Sequence, residues 1–220
     1  MSLSQRLLVA LFRGVTGSIF RIHDEALARI PQHGPLILLM NHVNILEIPL
    51  IYARLQPRRV RGLVLADRWQ NPLIGWGLDT CGAIPLERGG INFSSINRAL
   101  DVLKAGEILL IMPEGTRSGN GILQKGHPGV VLLALKSKAP LLPIISYGGE
   151  KYKENIQKLR RTDFFLRVGE QFTPGASEKE VDSRTRAKIL DQIMHRMAEL
   201  LPPEYRGVYS APNPNNHEET

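Results

Sequence analysis

The stretch "LILLMNHVNILEIPLIYARL" (residues 36–55) runs apolar, breaks at Asn41 and His42, and turns apolar again around one carboxylate, Glu47. Its first five residues are an unbroken apolar run of strand length, bounded before by the "PQHGP" loop, and read as a buried strand. Pro49 is best tolerated in the first turn of a helix, so Glu47 is expected at or just before a helix start, with the helix over residues 49–55. A buried strand passing through a polar turn into a helix is the unit of an α/β sheet. Such sheets bind ligands beyond the carboxyl ends of their strands, which is where Asn41 and His42 fall.

The pattern extends along the chain. "SIFRI" (18–22), "RGLVLA" (61–66), "GAIPL" (82–86), "EILLIM" (107–112), "PLLPIIS" (140–146) and "FFLRVG" (164–169) are further runs of strand length. Helical spacing covers residues 94–104, 128–137 and 183–200. The alternation predicts an α/β fold with a mixed, largely parallel sheet flanked by helices. At the N-terminus, Leu3, Leu7, Leu8, Leu11 and Phe12 fall at helical spacing against Ser4, Gln5 and Arg13. Residues 3–13 thus read as an amphipathic helix, which either covers the domain's own core or lies in a membrane interface. The expected organisation is an N-terminal helical segment over 1–16, one domain over 17–209, and a polar, turn-rich, disordered tail over 210–220.

Charge narrows the partners. Lys and Arg number 28 against 21 Asp and Glu, a formal net charge of +7, which favours an anionic partner: nucleic acid, an anionic membrane surface or a phosphorylated substrate. The basic residues are spread over "QPRRVRG" (56–62), "KLRR" (158–161) and "RTRAK" (184–188) with no nucleic-acid motif, so no nucleic-acid partner is expected. Cys81 is the single cysteine, which excludes an intrachain disulfide and fits a cytosolic exposure. The N-terminal apolar centre is short, flanked by Arg6 and Arg13, and does not read as a signal peptide. No stretch approaches the roughly 20 apolar residues of a membrane span, so any membrane contact is expected to be peripheral.

Four stretches can carry chemistry. In the first, the turn could fold Glu47 back on His42. A carboxylate on one imidazole nitrogen fixes the tautomer and leaves the other free to take a proton from an attacking hydroxyl; the same two residues also suit a structural or helix-capping role. In the second, "MPEGTRSGNG" (112–121), a strand ends in a turn presenting Glu114, Thr116 and Arg117. Arg117 offers a fork of donors suited to phosphate and Gly115 lets backbone amides approach, though a polar turn with a solvated ion pair has the same composition. In the third, "GAIPLERGG" (82–90), Arg88 is either a second phosphate donor or a surface arginine. The fourth, "KAPLLPII" (138–145), reads as core or as a wall for an apolar substrate. Neither metal-ligand spacing nor a cofactor motif is present, and none is expected.

In this order, the four stretches resemble the four blocks of the glycerolipid acyltransferase family. That family's first block is Asn-His, four residues, then Asp, matched by "NHVNILEIP" with Glu47 in place of the Asp and Asn44 in place of the usual Ser. "GAIPLERGG" resembles the second, "PEGTRS" is a complete match to the third, and "APLLPII" resembles the fourth; Lys125 and Gly126 stand where members often carry Lys-Gly. The resemblance covers about residues 22–169. It implies transfer of a fatty acyl group from acyl-CoA or acyl-carrier protein to a lysophospholipid hydroxyl, with 1-acyl-glycerol-3-phosphate as acceptor and phosphatidic acid as product. His42 would be the base and Glu47 its orienting carboxylate. Glu114, Gly115, Thr116, Arg117 and Arg88 would hold the acceptor's phosphate. The enzyme would rest peripherally on the cytoplasmic side of an anionic membrane. The alternatives are another lysolipid or glycerol 3-phosphate as acceptor, or a catalytically silent lipid-binding protein on the same scaffold.

Overall fold

The computed structural model describes residues 1–87, 92–175 and 181–211. In chain order its elements are α1 (Leu3–Ile19), β1 (Phe20–His23), β2 (Leu36–Met40), α2 (Glu47–Arg54), β3 (Val60–Leu65), α3 (Pro72–Cys81), β4 (Ile84–Leu86), α4 (Phe93–Lys104), β5 (Ile108–Ile111), α5 (Gly129–Ser137), β6 (Leu141–Tyr147), α6 (Tyr152–Gln157), β7 (Thr162–Val168) and α7 (Ser183–Leu200), with short 3₁₀ turns between. The strands form one sheet in the order β1-β7-β6-β2-β5-β3-β4. Neighbours are parallel except for β6 and β7, which are antiparallel, so the sheet is mixed and largely parallel.

β2 lies between β5 and β6, and all five of its residues are buried because helices cover both faces of the sheet. Side chains alternate across it. Ile37 and Leu39 join a core with Leu109, Ile145 and the inner faces of α4, α5 and α7. Leu36, Leu38 and Met40 join a second core with Ile108, Leu142, Ile144 and side chains of α1 and α2.

Two helices depart from the sequence reading. α1 does not stop at residue 13 but continues to Ile19, so the start of "SIFRI" is its last turn and the boundary drawn at 16–17 falls inside it. An internal glycine costs a helix about 1 kcal/mol, and α1 contains Gly14 and Gly17, but packing on α2 outweighs them. The Phe12 ring meets Tyr52 edge-on at 6.2 Å, Arg13 donates to the Ala53 carbonyl at 3.1 Å, and Thr16 is buried. The helix is apolar on two sides: Leu8 and Val9 enter the core, while Leu3, Leu7, Leu11 and Val15 form an exposed stripe of residues one turn apart. α3 has no helical period that marks it in the sequence and is set by its ends. The Asn71 side chain accepts from the Leu73 and Ile74 amides at 3.0 and 3.1 Å, Pro72 opens the first turn, and Gly82 closes the helix at φ 66°. Of the tail expected to be disordered, residues 212–220 lie outside the described residues, as does Arg88.

Candidate active site

The end of β2 is pinned to β6 by Asn41, whose side-chain amide donates to the Ser146 carbonyl at 2.9 Å and accepts from its N–H at 2.7 Å, both buried. The next residue, His42, is thereby placed at the carboxyl edge of the sheet. Glu47, the first residue of α2, is fully buried, and the turn closes around its carboxylate. The Val43 amide donates to both oxygens at 2.9 and 3.0 Å, the Asn44 amide to Oε1 at 3.1 Å, and His42 Nδ1 lies 3.1 Å from Oε2. Ser146 Oγ reaches Oε1 at 3.4 Å. A carboxylate at Nδ1 takes the proton-bearing nitrogen, so the lone pair of the neutral ring sits on Nε2. The His42 side chain keeps 15% of its surface exposed, enough to meet a reactant. Burial pushes the Glu47 carboxyl above its ordinary value, opposed by His42 and the Asn44 and Val43 amides.

The third block packs directly against this turn. Ser118 N–H donates to the His42 carbonyl at 2.8 Å and Gly119 N–H to the Val43 carbonyl at 3.1 Å. Gly115 has φ 64°, and a Cβ there would stand 2.9 Å from the His127 ring, so glycine is required on both counts. Gly115, Thr116 and Arg117 are exposed at the tip of this turn. Glu114 corrects the sequence reading, which grouped it with the phosphate-holding residues. It is 1% exposed, its Oε1 accepts from His42 N–H at 2.6 Å and its Oε2 from Gln124 N–H at 2.9 Å. The consecutive amides of residues 42, 43 and 44 therefore all donate to carboxylates, Glu114 taking the first and Glu47 the other two, and none of the three is left for an oxyanion.

Burial pushes the Glu114 carboxyl up to about 7, with the nearby Glu47 charge adding and the His42 and Gln124 amides opposing. Because this value lies above that of an unfolded glutamate, about 4.3, the folded protein binds the proton more tightly. The stabilisation is full below the unfolded value and is lost as pH rises through about 7. Glu114→Gln is expected to make chemical-denaturation stability depend less steeply on pH between 5 and 8; an unchanged slope would exclude this origin.

Some supporting residues carried no recognisable signal. Asn44, in the position of the family's usual Ser, donates to the Gly149 carbonyl at 3.4 Å and accepts from Leu46 N–H at 2.8 Å. The segment after α7 braces the loop that carries Gln124: Leu123 N–H donates to the Tyr205 carbonyl at 2.8 Å, the Tyr205 hydroxyl to Glu150 at 2.8 Å, and Gly126 N–H to the Tyr209 hydroxyl at 3.4 Å. Among the described residues no three His, Cys, Asp or Glu side chains converge as metal ligands.

The fold and the family of the chain are set by comparison with known proteins. The Acyltransferase family model matches residues 21–147, and the chain belongs to that family. It is 29% identical to the 1-acyl-sn-glycerol-3-phosphate acyltransferase of Bacillus subtilis over 129 residues, 59% of this chain and 64% of that one. To the chloroplastic 1-acyl-sn-glycerol-3-phosphate acyltransferase LPAT1 of Arabidopsis thaliana it is 27% identical, over 60% of this chain and 37% of the relative. To the lyso-ornithine lipid O-acyltransferase of Pseudomonas aeruginosa it is 33% identical, over 51% and 43%. The chain thus spans less than two thirds of the length of each of these curated relatives. The crystal structure of the 1-acyl-sn-glycerophosphate acyltransferase PlsC from Thermotoga maritima shares the fold, with a TM-score of 0.61 and 20% identity over 86% of this chain and 76% of that one.

Proposed function

We propose that this protein transfers a fatty acyl group from a thioester donor, acyl-CoA or acyl-carrier protein, to the free hydroxyl of 1-acyl-glycerol-3-phosphate, giving phosphatidic acid. The observation that carries this reading is the 3.1 Å contact between His42 Nδ1 and the buried Glu47 carboxylate, which leaves Nε2 as the available base. Nε2 takes the hydroxyl proton as the oxygen attacks the thioester carbonyl carbon. The tetrahedral intermediate expels the donor's thiolate, which takes the proton back from the imidazolium. Glu47 stabilises the positive ring in between. No metal or tightly bound cofactor enters the scheme. The reading is supported by the names of the Bacillus and Arabidopsis relatives. A related acceptor is favoured by one observation, the Pseudomonas relative named for lyso-ornithine lipid. Radiolabelled acyl-CoA offered with lysophosphatidic acid, other lysolipids and glycerol 3-phosphate in competition tests the choice; absence of labelled phosphatidic acid would overturn the first reading.

In this scheme Arg117, exposed on the turn hydrogen-bonded to residues 42 and 43, holds the acceptor's phosphate with Thr116 and the Gly115 backbone, and Arg88 assists. Arg117→Ala is expected to raise KM for the acceptor about 10-fold or more, as the loss of a charge-assisted hydrogen bond of roughly 1.5–3 kcal/mol implies. An unchanged KM would remove Arg117 from the site.

The lipid substrates place the protein at a membrane, and we assign it to the cytoplasmic face as a peripheral enzyme. Among the described residues no helix is long and apolar enough to cross a bilayer. The exposed stripe Leu3, Leu7, Leu11 and Val15, together with the net charge of +7, suits an anionic lipid surface. Converting Leu7 and Leu11 together to Asp spares the core residues Leu8 and Val9, and is expected to reduce flotation with anionic liposomes by at least about tenfold. Undiminished flotation would move the contact to another face.

A further inference from the structure

At the amino ends of the central strands, opposite His42, lies a charged side chain that the acyl-transfer scheme does not use. Arg58 stands just before β3 and is buried, with 9% of its surface exposed. One of its guanidinium nitrogens, Nη2, donates to the neutral Gly34 carbonyl just ahead of β2. Its Nε and Nη1 are shut off from solvent and, among the described residues, have no hydrogen-bond partner. Burial lowers the basicity of this guanidinium. The acidic groups nearby are committed elsewhere. Glu107 holds Arg59 at 3.1 Å and Arg61 at 2.8 Å, and Asp24 holds Arg54 at 3.1 Å.

Arginine stays protonated even when buried, and a buried charge without a countercharge is among the most expensive arrangements in a protein interior. An orphaned buried donor calls for an acceptor, and an acceptor carrying negative charge offsets the guanidinium charge as well. The surroundings have room for it. Arg58 forms the wall between two crevices. One, of about 420 Å³, is lined by Gln32, His33, Gly34, Arg59 and Glu107 among others. The second, of about 210 Å³, shares Gln32 and Arg58 and adds Arg54. With Glu107 neutralised by its two arginines, the larger crevice presents the uncompensated charge of Arg58 beside the exposed His33 and Arg59.

We propose that this crevice is an anion site, distinct from the active site, that takes a phosphate group, free or as the head of a small phosphomonoester. The Arg58 fork turns from the Gly34 carbonyl to grip two phosphate oxygens, the bidentate geometry that suits guanidinium and phosphate. Arg59 and His33 close the rim. The site lies across the sheet from His42, separated by the length of β2, so a phosphate bound there is not the one placed against the catalytic base.

The test is isothermal titration of inorganic phosphate, and separately of methyl phosphate, into the full chain at fixed ionic strength and pH 7.5. In the Arg117→Ala background, which removes the proposed acceptor-phosphate contact, the protein is expected to bind, and the double variant Arg117→Ala/Arg58→Met to bind at least tenfold more weakly. The tighter of the two probes tells whether the site takes free phosphate or an ester. Phosphate at ten times its dissociation constant is also expected to raise the melting temperature of Arg117→Ala by roughly 3–6 °C over the same protein without phosphate, and that of Arg117→Ala/Arg58→Met by far less. No binding by Arg117→Ala, or equal binding by Arg117→Ala and Arg117→Ala/Arg58→Met, would overturn the proposal. Should the double variant fail to fold, Arg58→Lys, which keeps the charge but not the fork, and Arg59→Gln replace Arg58→Met in the same background, and undiminished affinity in both would be equally fatal. None of these readings depends on acyl transfer, so the anion site and the proposed reaction stand or fall separately.

Discussion

His42→Ala is expected to lower kcat for acyl transfer by ~10²- to 10⁴-fold, the contribution typical of a positioned general base, with the fold retained. The variant separates chemistry from scaffold because the backbone of His42 does the structural work. Its N–H holds Glu114 at 2.6 Å and its carbonyl accepts from Ser118 at 2.8 Å, and alanine keeps both. Glu47 loses the ring but retains the amides of Val43 and Asn44. Binding of the acceptor through the Arg117 turn is therefore expected to survive, so the loss falls on kcat and spares KM. The measurement is product formation from radiolabelled acyl-CoA and lysophosphatidic acid with purified proteins, beside circular dichroism to verify folding. Robust turnover by the variant would exclude His42 as the base and, with it, the assigned mechanism.

Much of the architecture around this residue is legible in the sequence because its signals are local. "LILLM" is a strand between two covered faces, and an unbroken apolar run is what such a strand must look like. Pro49 fixes the start of α2 to within a turn, which puts Glu47 at its first position. Where the deciding contacts are distant in sequence, local reading fails. α1 is carried past Gly14 and Gly17 by packing against α2, and α3 is announced only by Asn71, Pro72 and Gly82 at its ends. The turn composition of "PEGTRS" correctly places Thr116 and Arg117 at an exposed tip, yet it cannot tell that Glu114 turns inward. That orientation follows from the amides of His42 and Gln124, one supplied by the turn after β2 and the other by a loop braced from the C-terminal segment. Sequence alone thus singles out His42, Glu47, Glu114 and Arg117, while tertiary contacts divide them into buried carboxylates that hold the turn and side chains that keep exposed surface.

That division makes Glu47 the most informative position, since it holds the turn and, in the proposed scheme, orients the partly exposed ring of His42. Glu47→Gln is expected to cost ~10²- to 10⁴-fold in kcat, whereas Glu47→Asp is expected to retain activity within about tenfold. The glutamine is nearly isosteric, so the loss turns on how its amide is oriented. Its amide must either turn its oxygen to the Val43 and Asn44 amides and its NH2 to His42 Nδ1, or the reverse. In the first arrangement a donor faces Nδ1, the ring proton moves to Nε2, and the base is lost. In the second an NH2 group meets backbone N–H donors, and the turn that presents His42 is disrupted. Aspartate keeps the acceptor character and the charge on a stem shorter by one methylene, and it restores the residue usual in the family. The turn has only to draw in for its carboxylate to reach Nδ1. The Glu47 carboxyl is raised by burial, so the wild-type carboxylate is protonated, and activity lost, at a higher pH on acidification than an exposed glutamate would allow. Comparable kcat values for Gln and Asp variants would show that Glu47 serves only to close the turn before α2, and His42 would then have to act without an orienting carboxylate.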